Sequence, residues 1–342
     1  MCRLKYYEQI DADVWQGRVD DPNDLESLRW HQIVKPIDLE EIKPKTISKD
    51  ETGCCFLGWR CDEGVVRNMG RPGTAKAPLS IRKEMSNLPC RFSPKTKLYD
   101  AGDIVYGDCD LDTALDELSD AVKKILALKL FPIILGGGHE IALGSYNGII
   151  DHITPTEKIG VQDIGIINFD AHFDLRPYKG KTSSGTMFSL ISDSCIKNKR
   201  VFSYFCLGIQ KYANTVSLFK TADRLGVKYI LARDINESSI PTILDSLDEF
   251  THKQKYVYLT LCADVFSSAY APGVSAPQPF GLHPEVVLQL IKHVVKSEKV
   301  VCFDIAEVSP RFDHDNRTAK LAAIVIFAII NTLLGVDDDA VI

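Results

Sequence analysis

The chain has 342 residues, 45% hydrophobic and 25% charged, which excludes a disordered chain, a collagen-like chain and a small disulfide-stapled scaffold. A net charge of −6, without a Lys/Arg block, argues against a nucleic-acid or membrane-surface binder. The first 60 residues mix Pro, Asp and Trp and show no regular period. Past residue 100 the pattern becomes regular. Leu111, Leu115, Leu118, Val122, Ile125 and Leu126 recur at helical spacing. Short apolar runs follow at Phe131–Leu135, Ile164–Phe169, Val201–Ile209, Val227–Ala232, Tyr256–Leu261 and Val300–Ile305. Helical stretches separate them, near 140–150, 215–225, 238–251, 283–297 and 316–334. This alternation predicts a parallel sheet with helices on both faces. Strands buried on both faces read as continuous apolar runs, as these do.

The 10 cysteines are scattered, with no CxxC pair, so neither a zinc ribbon nor a thioredoxin-type motif is expected. The opening residues MCRLKYYE hold no apolar segment of a secretory signal. Reduced thiols in a cytoplasmic protein are the expectation. The apolar stretch Leu321–Ile330 has 10 residues, too few to span a bilayer, and reads as a buried helix.

Ligands of parallel α/β sheets bind beyond the carboxyl ends of the strands. Four runs end there in polar clusters. Gly136-Gly137-Gly138-His139-Glu140 is either a tight turn presenting one imidazole to a ligand or a turn with a surface His. Asp170-Ala171-His172-Phe173-Asp174 follows the second run; in extended chain its Asp, His and Asp share one face. Burying two carboxylates there without a cation is costly, although a solvated turn is the plainer reading. Cys262-Ala263-Asp264 repeats the two-residue spacing, and Cys262 alone reads equally as a small buried hydrophobe. A Pro/Gly loop, Ala271–Gly281, follows and either shapes a pocket wall or merely connects elements. Asp304-Ile305-Ala306-Glu307 offers a carboxylate for a cationic substrate group, a salt bridge or a helix cap. Imidazoles with carboxylates suit Mn²⁺. At least five candidate ligands, His139, Asp170, His172, Asp174 and Asp264, fit a pair of ions about 3.5–4 Å apart better than a single ion.

Together GGGHE, DAHFD, CAD…APGVSAPQPFG and DIAEVSP resemble, in order, the signatures of the ureohydrolase superfamily of arginase and agmatinase. The resemblance covers about 60–330. Within it, DEGVVRNMGRPGTAKAPLSIR (62–82), DAHFDLRPY (170–178), SSGTMF (183–188) and APGVSAP (271–277) look most like the formimidoylglutamase branch. Arginases and agmatinases carry a His in the segment matching SSGTMF, where Ser184 precedes Gly185 here.

The resemblance implies a three-layer α/β/α, arginase-like fold with a central, mostly parallel sheet. The length then reads as one domain over 61–342, with 1–60 an N-terminal extension packed on it. It implies two Mn²⁺ per subunit: His139 and Asp174 on one, His172 and Asp264 on the other, Asp170 bridging. Cys262 stands where most relatives place a second bridging Asp. A soft thiolate is a poor Mn²⁺ donor, so one metal site, the one shared with Asp264, should be weakened. The implied reaction is hydrolysis of N-formimidoyl-L-glutamate to L-glutamate and formamide, by attack of a metal-bridging hydroxide on the amidine carbon. Asp174 would move the proton, with His139 among the catalytic residues, and Glu307 would hold the amidinium. Arg176, Arg71 and Ser184 would bind the substrate's carboxylate end. The resemblance further implies a homo-oligomer, trimer or hexamer. Two alternatives stay open: an arginase- or agmatinase-type guanidino hydrolase, and a non-catalytic family member.

Overall fold

The computed structural model describes residues 4–42, 53–92, 96–154 and 164–336. The strands are β1 (Tyr7–Glu8), β2 (Lys35–Pro36), β3 (Gly53–Arg60), β4 (Lys97–Val105), β5 (Phe131–Leu135), β6 (Ile164–Phe169), β7 (Ser203–Ile209), β8 (Lys228–Leu231), β9 (Tyr256–Cys262) and β10 (Val300–Ala306). Among the described residues they form one sheet in the order β1-β4-β3-β5-β10-β9-β6-β7-β8, with β2 also on β4. Every pairing is parallel except β1 with β4. The helices are α1 (Trp30–Ile33), α2 (Glu63–Arg67), α3 (Ala77–Met85), α4 (Leu111–Ala127), α5 (Ile141–Ile153), α6 (Met187–Lys197), α7 (Val216–Leu225), α8 (Ile240–His252), α9 (Pro284–Lys296) and α10 (Arg317–Leu333).

Three layers follow from the two-residue period of the strands. Ile133, Leu259 and Phe303 face one way and pack with α3, α8, α9 and α10. Ile134, Tyr258 and Cys302 face the other and pack with α4, α5, α6 and α7. Local signals set the helix ends. Asp110 caps α4 by accepting the Thr113 N–H at 3.1 Å. Gly226 ends α7 at φ +70°, a left-handed conformation that glycine adopts without Cβ strain. Leu321–Ile330 lies inside α10, and no helix among the described residues is long and apolar enough to cross a membrane.

All six apolar runs fall on strands, and all six predicted helical stretches are helices. Elements without a sequence signal also appear. Within the residues read as irregular, Gly53–Arg60 forms β3, which lies inside the sheet between β4 and β5. Its neighbour β4 carries Asp100 and Asp103, poor strand formers that are buried here. Arg82 of α3 compensates them: it is wholly buried, donates from Nε to Asp100 at 2.8 Å and from a terminal nitrogen to Asp103 at 2.5 Å.

Candidate metal centre

The four polar clusters meet at the carboxyl ends of β5, β6, β9 and β10, which are adjacent in the sheet. The glycine loop after β5 is gripped from both sides. Gly136 N–H donates to Ile305 O at 2.8 Å, and Gly138 N–H to Cys61 O at 3.3 Å. Gly136 and Gly137 stand at φ +69° and +82°, and a Cβ on Gly137 would lie 2.1 Å from the Trp59 ring. Only glycine fits that turn, and the turn delivers His139 into the interior at 1% exposure.

β6 ends at Phe169, so Asp170, His172 and Asp174 do not share a face of extended chain as expected. The chain bends through Ala171 and His172, and Asp174 adopts φ +49°. This turn brings the three side chains together. Asp264 likewise sits in a 3₁₀ turn, Ala263–Val265, beyond the end of β9 at Cys262.

His139 Nδ1 lies 2.9 Å from Asp170 and 3.0 Å from Asp174. His172 Nδ1 lies 3.2 Å from Asp264 and 3.5 Å from Asp170. Two sets of ligand atoms result, each within 4.8 Å of one another: His139, Asp170 and Cys262, and Asp170, His172 and Asp264. Asp170 belongs to both. Cys262, expected beside Asp264, groups with His139 and Asp170.

The site is short of cations. Burial and the neighbouring Asp264 and Glu140 raise the Glu307 carboxyl well above its ordinary value. Burial and Asp170 likewise push Asp174 up, whereas hydrogen bonds from His139 and His172 overcome burial and hold Asp170 low. Burial, then the surrounding carboxylates, drives the Cys262 thiol far upward. Asp264 Oδ1 is buried without a hydrogen-bond partner. Four acids against two imidazoles, with an orphaned carboxylate oxygen, fit a pair of hard divalent cations.

A cavity of about 240 Å³ opens on the cluster, lined by His139, His172, Asp174, Cys262, Asp264 and Glu307. Arg71, Arg176 and Ser184 line it too. Glu307 takes φ +65°, and its Oε1 accepts the His139 N–H at 3.2 Å. Asp304, in contrast, stays buried in the sheet beside Tyr258 OH. Arg71 is engaged elsewhere: Nε donates to Ser275 O at 2.9 Å, a terminal nitrogen to Val274 O at 2.6 Å, and the guanidinium stacks 3.9 Å over Phe312. It pins the Pro/Gly loop, whose Ser275 and Ala276 form part of the cavity wall.

Residues absent from the sequence reading support the ligands. Asn168 donates to Asp170 at 3.1 Å, and the Asn168–Tyr204 contact, 2.9 Å, fixes the amide. Thr260 Oγ1 lies 3.0 Å from His139 Nε2. Each stands two residues before a cluster residue and is a polar interruption of an apolar run. That interruption is the signal that finds them.

The arginase family model matches residues 52–331. The chain is 51% identical to a formimidoylglutamase from Clostridium tetani (strain Massachusetts / E88) over 330 residues, 96% of each chain. It is similar to the crystal structure of formimidoylglutamase from Bacillus subtilis subsp. subtilis str. 168, with a TM-score of 0.77 at 22% identity, covering 93% of this chain and 94% of that one. It is similar also to Trypanosoma cruzi formiminoglutamase with Mn2+2, TM-score 0.71 at 24% identity, covering 87% and 98%. The chain belongs to the arginase family.

Proposed function

We propose that this chain hydrolyses N-formimidoyl-L-glutamate to L-glutamate and formamide, using two Mn²⁺ ions. The observation that carries this is the joint acid–imidazole cluster under the cavity, in a chain 51% identical to a formimidoylglutamase. Asp170 would bridge the ions, His139 and Asp174 would hold one, and His172 and Asp264 the other, with Cys262 beside His139. When bound, the ions supply Lewis acidity that makes a water nucleophilic at neutral pH.

The remaining steps belong to side chains. Glu307 faces the cavity as a buried carboxylate without a counter-ion, and a substrate amidinium satisfies it. That contact sets the amidine carbon over the cluster. Asp174, its proton affinity raised by burial and by Asp170, takes the proton released on attack and returns it to the departing glutamate nitrogen. Asp170 stays ionised beside it. One carboxyl held low and one held high divide the binding and proton-carrying roles. No His stands in the segment 183–188, where guanidino hydrolases carry one.

Product analysis tests the bond assigned. The Mn²⁺-loaded chain is expected to release L-glutamate and formamide in equal amounts. Release of ammonia with N-formyl-L-glutamate would place the cleavage at the other C–N bond and overturn the proposal.

A further inference from the structure

One residue of the cavity lining given no role so far is an amide, Asn68. Arg71, engaged by two carbonyls and Phe312, has little left to offer a carboxylate. Arg176 is exposed at the cavity wall and makes no ion pair among the described residues. Its backbone N–H donates to Gly185 O at 2.9 Å, which holds the two chain segments together. A Cβ on Gly185 would lie 2.7 Å from Asn68 Oδ1, 2.8 Å from Asn68 Nδ2 and 2.9 Å from Arg176 Cδ. The missing side chain therefore lets the Asn68 amide and the Arg176 stem close over the same backbone. Asn68 Nδ2 also reaches Ser184 Oγ at 3.4 Å.

The position of Asn68 is set by a strained turn. It follows α2, where the Gly70 N–H donates to Val65 O at 2.8 Å. That closure requires a left-handed residue between them, and Met69 fills it at φ +62° in place of the usual glycine. Backbone strain of this kind gathers where geometry serves a site. Beyond Asn68, Met69 and Arg176 lies a second cavity of about 390 Å³, whose wall carries Arg67, Lys179 and Lys181. Asp174, Asp264 and Glu307 line the inner cavity, no acid among the described residues lines the outer one, and Asn68, Met69 and Arg176 line both.

We infer that Asn68 and Arg176 form a carboxylate cradle at this junction, and that it selects substrates with a cationic amidine at one end and carboxylates at the other. The cradle depends on Gly185 having no side chain. Asn68 Nδ2 donates to a carboxylate oxygen while the Arg176 guanidinium takes its charge. The inference rests on the reaction proposed above for the identity of the substrate, but not for the chemistry of the cradle.

The test uses the Mn²⁺-loaded full chain, with Asn68→Ala, Asn68→Asp and Gly185→Ala variants. KM for N-formimidoyl-L-glutamate is measured together with direct binding of L-glutamate, which carries the same two carboxylates. A simple alkyl formamidine without carboxylates serves as the reference substrate. Loss of a hydrogen bond to a charged group raises KM and weakens glutamate binding by roughly 10–100-fold in Asn68→Ala. Asn68→Asp loses more, Gly185→Ala shifts in the same direction, and the loss falls on KM far more than on kcat. Preference over the alkyl formamidine falls by the same factor. Unchanged KM and glutamate binding in both Asn68 variants, with wild-type turnover intact, overturns the cradle and leaves the reaction standing. A wild-type chain that binds glutamate through Asn68 yet does not hydrolyse N-formimidoyl-L-glutamate supports the cradle and overturns the reaction.

Discussion

Cys262 is the one soft donor in a cluster of carboxylates and imidazoles, and its sulfur lies within 4.8 Å of the ligand atoms of His139 and Asp170. Mn²⁺ prefers oxygen, so Cys262→Asp is expected to slow the loss of Mn²⁺ on dialysis, read as metal per chain against time. Faster or unchanged loss would take Cys262 out of the metal shell. Glu140 makes a different residue-scale prediction. It is wholly buried, accepts one hydrogen bond from Trp59 Nε1 at 3.0 Å, and leaves Oε2 without a partner. Burial raises its carboxyl from 4.5 to about 7. The protonated acid therefore stabilises the fold fully below pH 4.5, and that stability is lost as pH rises through 7. In chelator, Glu140→Gln should gain about 3 kcal/mol over the wild type between pH 5 and 8, read from urea unfolding at each pH. A gap that stays constant with pH would show that Glu140 does not titrate in the fold. The ligands themselves were legible because acids and imidazoles at the ends of apolar runs are costly unless something binds them. Asn168 and Thr260 carried a subtler mark, a polar residue inside a buried strand. Asn68 carried none, because its place is set by the closeness of Gly185, 117 positions on, and by no local pattern.

At the level of elements, β5 to β10 and six helices around them, α4, α5, α7, α8, α9 and α10, could be read from hydrophobic period and apolar runs. Those that escaped share a physical reason. β3 carries Gly53 and Gly58, and Gly58 is needed because a Cβ there would meet Asp103 at 1.9 Å. β4 holds Asp100, Gly102 and Asp103, residue types that favour turns over strands. β4 buries its two acids against Arg82 of α3, a contact between segments that no window of sequence displays. Arg82→Ala leaves Asp100 buried without its counter-ion and Asp103 with only the exposed Arg60, 3.8 Å away, and should cost about 3–5 kcal/mol, measured as a lowered urea midpoint. A loss below about 1 kcal/mol would mean that water or another cation replaces the guanidinium. The same pair stands close to the site. Ala77 and Pro78, at the start of α3, pack against Gly136, so loosening α3 is felt by the loop that delivers His139.

At the level of the whole molecule, the parallel sheet places the ends of β5, β10, β9 and β6 side by side, and the four polar clusters come from those ends. Order along the chain does not show this, since β5 neighbours β10 across 165 residues of sequence. The rule that ligands gather at carboxyl ends of strands made the convergence readable in advance. The charge layout was not readable, because the acids of the cluster and the cations Arg67, Lys179 and Lys181 beyond Arg176 come together only once the chain is folded. That layout bears on the choice among arginase-family substrates. N-formimidoyl-L-glutamate has a cationic head and two anionic carboxylates, whereas agmatine is cationic at both ends and would meet the outer cations unfavourably. The most direct measurement is therefore the turnover of N-formimidoyl-L-glutamate, agmatine and L-arginine by the same Mn²⁺-loaded preparation, before and after chelation. The expected kcat/KM for N-formimidoyl-L-glutamate is at least roughly 100-fold above that for either guanidino compound, and the activity is lost with the metal. Rapid agmatine or arginine hydrolysis without formimidoylglutamate turnover would contradict it.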